Sequence, residues 1–61
     1  MANLTSKELT ALEDQINYEQ VLVTKYRAMA QLCNDAKIKS DLENIASKHQ
    51  QHANTLMSFL Q

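Results

Sequence analysis

The chain has 61 residues, six Lys/Arg against seven Asp/Glu, and neither glycine nor proline. That length holds one structural unit, and a sheet fold of this size would need the tight turns and bulges that glycine and proline supply. The charge is nearly balanced and forms no block of either sign, which excludes the basic stripe of a nucleic-acid-binding protein and the polybasic segment of a membrane-surface protein.

The first element begins at Leu4-Thr5-Ser6-Lys7-Glu8-Leu9. Thr5 at the N-cap with Glu8 three residues on is a capping box, and Leu4 and Leu9 stand at the spacing of a hydrophobic staple. Core-type positions then recur as Leu9, Leu12, Ile16, Glu19, Val23, Tyr26, Ala30 and Cys33. The steps alternate three and four residues, the period of a helix packed along one seam. Leu22 and Met29 widen that seam on one flank. The spacing predicts a helix over about residues 6–33.

Asn34-Asp35 is the break. Asn34 is suited to the left-handed conformation that ends many helices, and Asp35 to capping the next one. Asp35 and Lys39 stand at the spacing of an ion pair within one helix face. The second seam reads Asp35, Ile38, Leu42, Ile45, His49, His52, Leu56 and Phe59, broadened by Ala46, Ala53 and Leu60. It predicts a helix over about residues 36–60. The expected fold is all-α: one domain, residues 1–61, made of two long antiparallel helices.

Such a hairpin can bury each seam only against the other. Chains below about 70 residues seldom stabilise a single core without disulfides, metal or oligomerisation. The lone Cys33 allows no internal disulfide and reads as a small, half-buried packing residue. Leu22, Met29, Ala46, Ala53 and Leu60 offer a second apolar surface, so a homodimeric four-helix bundle is expected. No apolar run is long enough to span a membrane and no signal-like segment follows Met1, so a cytoplasmic protein with no membrane partner is expected.

Three polar residues interrupt the seams in mid-helix: Glu19, His49 and His52. Glu19 precedes the turn by nearly the number of residues by which the two histidines follow it, so an antiparallel hairpin brings all three to one height. A carboxylate and an i,i+3 histidine pair are ligands for a divalent metal, zinc or iron first among them. The same three could instead form a hydrogen-bonded polar layer that fixes register. Tyr26, one heptad beyond Glu19, either fills the core or orients a member of this layer through its hydroxyl.

Glu19, Tyr26 seven residues later, the ligand pair in His49-Gln50-Gln51-His52, and Ala53-x-x-Leu56-x-x-Phe59-Leu60 together resemble half of a rubrerythrin-type ferritin-like bundle. The short chain, with Leu12-Glu13-Asp14-Gln15 in context, looks most like the small ferritin-like spore coat proteins of the coat F type. The resemblance spans about residues 8–60. It implies that Glu19 stands for the first-helix carboxylate and His52 for the motif histidine, with two hairpins building a metal site. His49 departs from the pattern, which has glutamate there, and this removes the carboxylate expected to bridge two metals.

The resemblance therefore implies a non-catalytic structural protein of the spore coat, acting as a homodimer among other coat proteins. A metal-storing, metal-buffering or metal-sensing dimer is the second expectation, carried by Glu19, His49 and His52. A rubrerythrin-like redox enzyme is the third, and the His49 departure argues against it. No catalytic residue is assigned.

Overall fold

The computed structural model describes residues 3–61; residues 1 and 2, included in the single-domain expectation, lie outside the described residues. Two helices form, α1 (Ser6–Leu32) and α2 (Ala36–Ser58), packed against each other as an antiparallel hairpin. There is no strand among the described residues.

The capping box forms as read. Thr5 N–H donates to Glu8 Oε1 over 3.0 Å, and Glu8 N–H donates to Thr5 Oγ1 over 3.1 Å. Two donors that the first turn of a helix leaves unpaired are thereby satisfied. Receiving the Thr5 backbone N–H holds the Glu8 carboxyl below its ordinary value. Leu4 and Leu9 flank the box, each more than a third exposed.

The turn differs from the expectation. No described residue has a positive φ, so Asn34 does not end α1 in the left-handed region. The chain leaves the helix through extended backbone at Cys33 (φ −89°, ψ 128°) and stays extended at Asp35 (φ −87°, ψ 122°). Asp35 then caps α2, its Oδ1 accepting from Ile38 N–H over 2.9 Å. With its carboxylate engaged there, Asp35 does not pair with Lys39; the ion pair on this helix is Lys37–Asp41, at 3.0 Å. Each helix is slightly shorter than expected. Cys33 N–H bonds back to Ala30 O over 3.2 Å, and Phe59 and Leu60 close a tighter turn onto Leu56 O and Met57 O.

The interhelical seam confirms the expectation on α1 and corrects it on α2. On α1, Ile16, Glu19, Val23 and Ala30 are buried. On α2 the buried residues are Ala46 and Ala53, at 1% and 0% exposure, whereas Ile38 is 52% exposed, Ile45 more than a third and Phe59 49%. The line of contact thus runs through Leu42, Ala46, His49, Ala53, Leu56 and Leu60, one position away from the stripe expected. Both lines share Leu42, His49 and Leu56, and the methyl side chains of Ala46 and Ala53 let the backbones approach more closely than Ile45 and His52 would. Ala46 and Ala53 are consumed inside the hairpin, so they do not form the second apolar surface expected of them.

The Cα trace measures 46 × 14 × 11 Å. Two helix axes about 8–10 Å apart, each ringed by Cα atoms at about 2.3 Å, account for the 14 Å width as one pair of helices side by side. Its buried apolar residues are Ile16, Val23, Ala30, Ala46 and Ala53, none large enough to make an extensive core. No described helix is long and apolar enough to cross a membrane.

Candidate metal centre

Glu19 lies at the middle of α1, with its carboxylate directed into the furrow between the helices. Its side chain is 8% exposed, so in the absence of donors its charge would be held at a cost. Donors come from both helices. His49 Nδ1 lies 2.6 Å from Glu19 Oε1. A carboxylate only accepts, so the proton of this bond sits on His49 Nδ1. Gln15, one turn earlier on α1, donates from Nε2 to Glu19 Oε2 over a long 3.5 Å. His52 Nδ1 stands 3.6 Å from Glu19 Oε1, beyond hydrogen-bond length but near enough to act through its charge when protonated.

The His49 hydrogen bond holds the Glu19 carboxyl below its ordinary value, against the opposing effect of burial; attraction to His49, the Gln15 bond and attraction to His52 act in the same direction as the first. Glu19 is therefore a carboxylate at neutral pH. It sets an anionic oxygen beside two imidazoles.

The arrangement agrees with the expectation of one common height and corrects the burial of its members. Glu19 is buried and His49 half-buried, but the His52 side chain is 60% exposed at the rim, because Ala53 occupies the seam position beside it. Tyr26 reaches the cluster with its ring face. It stacks on His49 with centroids 5.9 Å apart and planes 8° from parallel, and His52 meets His49 edge-on at 5.7 Å. Lys25 Nζ lies 6.0 Å from the Tyr26 centroid. The stack limits the orientations open to the His49 imidazole, the positioning that the hydroxyl was expected to provide. Gln15 escaped the reading of the sequence. Its signal was the i,i+4 spacing to Glu19, which places an amide beside a carboxylate on one helix face.

One ligand atom from each of Glu19, His49 and His52 can be chosen so that all three lie within 4.8 Å of one another. Ligands sharing a tetrahedral zinc at 2.0–2.1 Å stand about 3.4 Å apart, so small rotamer adjustments would bring this set to bonding distance. The donor chemistry, one carboxylate and two imidazoles, fits zinc and fits a single ferrous iron, whereas a di-iron pair would lack its bridging carboxylate. The exposed side of His52 leaves open positions facing solvent.

No protein-family model matches the chain, and no solved structure matches it. It is similar to the uncharacterized protein YuzM of Bacillus subtilis (strain 168), 28% identical over 58 residues that cover 95% of this chain and 72% of that one. That name carries no activity to compare.

Proposed function

We propose that the protein is a non-catalytic helical hairpin that pairs with a second copy into a four-helix bundle and holds a divalent cation, zinc foremost, on Glu19, His49 and His52. The observation that supports this reading is the convergence on one buried carboxylate of two imidazoles from 30 and 33 positions away in sequence, the nearer at 2.6 Å. A polar layer serving register alone needs one such partner. The second imidazole, held beside the first but outside hydrogen-bond range of Glu19, is what a cation would draw in. His49 in the place of a second carboxylate argues against a di-iron redox centre, because the carboxylate that would bridge two metals is missing.

The test is titration of zinc into chelator-treated protein. The unaltered chain should bind, and H49A/H52A should bind at least tenfold more weakly. Equal affinity in the two would refute the reading.

A second reading, a structural protein of the spore coat type, is supported by the ferritin-like resemblance at Glu19, Tyr26, His52 and the Ala53-Leu56-Phe59-Leu60 run. It predicts that the protein partitions with assembled coat and that its loss changes coat composition. Recovery solely from growing cells would count against it.

A further inference from the structure

The hairpin has two unlike broad faces. One furrow between the helices, of about 270 Å³, is lined by Arg27, Gln31, Lys39, Glu43 and Ser47 together with the buried Ala30. Charged and amide groups fill that side. The other furrow is the one in which Glu19, Tyr26, His49 and His52 meet. Its borders are apolar. Leu22 and Met29 stand four before and three after Tyr26 and so share its face of α1. On α2, Ile38, Ile45, His52 and Phe59 recur at intervals of seven and form one stripe alongside His49. Met29, Ile38, Ile45 and Phe59 are all more than a third exposed.

The area of this molecule and the symmetry of the stripe favour a second copy as the cover. A compact monomer of 7.0 kDa exposes about 4,000 Å² by the usual scaling, whereas this chain exposes 4691 Å². The excess approaches the roughly 800 Å² that each partner buries in a standard interface. A second hairpin laid along the 46 Å axis spans the whole stripe, which runs about 32 Å from Ile38 to Phe59 at 1.5 Å per residue, and it carries the same stripe, so the contact is self-complementary under a two-fold axis.

We propose that a second copy of the chain docks on this face, along the stripe Ile38–Ile45–His52–Phe59 with Met29, and that the Arg27–Lys39–Glu43 face stays in water. This rests on the pairing put forward above and specifies its surface. The partner then covers the exposed edge of His52 and closes the open side of the Glu19 site, leaving the charged furrow on the outside of the bundle.

Sedimentation equilibrium of the full chain in chelator, across micromolar concentrations, should give about 14 kDa, twice the chain mass. I45E should raise the dissociation constant at least tenfold, and Q31E, on the charged face, should leave it unchanged. A stable monomer in the unaltered chain would overturn the pairing and this surface together. A dimer weakened equally by both substitutions, or by Q31E alone, would overturn the surface and spare the pairing. Because I45E could unfold the hairpin, a measurement on the unaltered protein accompanies it. A soluble paramagnetic agent should broaden the methyl signals of the outward-facing Val21 and Leu32 and spare those of Met29, Ile38 and Ile45. Equal broadening of all five would refute the assignment.

Discussion

His49 Nδ1 and Glu19 Oε1, thirty residues apart in the chain, lie 2.6 Å from each other and tie the centre of one helix to the other. A charge-assisted bond of this length between partly buried groups can exist for stability or for a ligand. Buried ion pairs are often no better for stability than well-packed apolar residues of similar volume. A pair kept for ligand binding should therefore be replaceable in the apoprotein but not in the metal complex. E19L/H49L is expected to match or exceed the unaltered protein in metal-free melting temperature while losing zinc binding. A large fall in the metal-free melting temperature would make the pair structural.

Acid should weaken both the metal-free fold and the zinc complex. Glu8 and Glu19 both have carboxyl values lowered by the fold from an ordinary 4.5. Their contribution to stability is complete above that value and is lost as pH falls below it, through the lowered values. Metal-free unfolding should therefore become easier below about pH 4.5, and E8Q/E19Q should flatten that dependence. Zinc affinity should also decline in acid, because ligating imidazoles must be deprotonated. Zinc affinity unchanged by acid would contradict ligation by His49 and His52.

Ala53 is fully buried between the helices. A53L retains a strong helix former, so any loss reflects packing alone. The added bulk has no space to enter and should cost about 1–3 kcal/mol, read from chemical denaturation. Stability equal to that of the unaltered chain would mean that the helices separate easily at this point.

The Thr5 hydroxyl holds the Glu8 N–H at the start of α1. T5A should cost about 1 kcal/mol. In a domain this small that lowers the melting temperature by roughly 4–8 °C, measurable by circular dichroism. No change would show that the first turn is frayed in solution.

The helices, the capping box and the common height of Glu19, His49 and His52 could be read in the sequence because each is a matter of spacing along one helix or of counting outward from a short turn. The side of α2 that meets α1 could not. Its apolar arc includes Leu42, Ala46, His49, Ala53 and Leu56, and also Ile38, Ile45 and Phe59, which is wider than one neighbouring helix can cover. Ranking those positions by hydrophobicity favours the large residues, whereas two helices in contact favour the small ones, so His52 fell outside the seam when Ala53 fell inside it. The left-handed Asn34 failed for a related reason. Extended backbone at Cys33 and Asp35 ends one helix and caps the next without it. Tyr26 meets His49 through its ring face, and that means of contact depends on ring orientation, which spacing does not specify.

Position within each helix has a dynamic consequence. Glu19 stands thirteen residues from either end of α1, while His52 is six residues from the end of α2 at Ser58. Helices open from their ends, so the amides around Glu19 should exchange more slowly than those of the last turn of α2. An ion bound to both would fasten the loose end of α2 to the firm middle of α1. The amides after His49 would then gain the most protection on loading, and release of the ion would begin with His52.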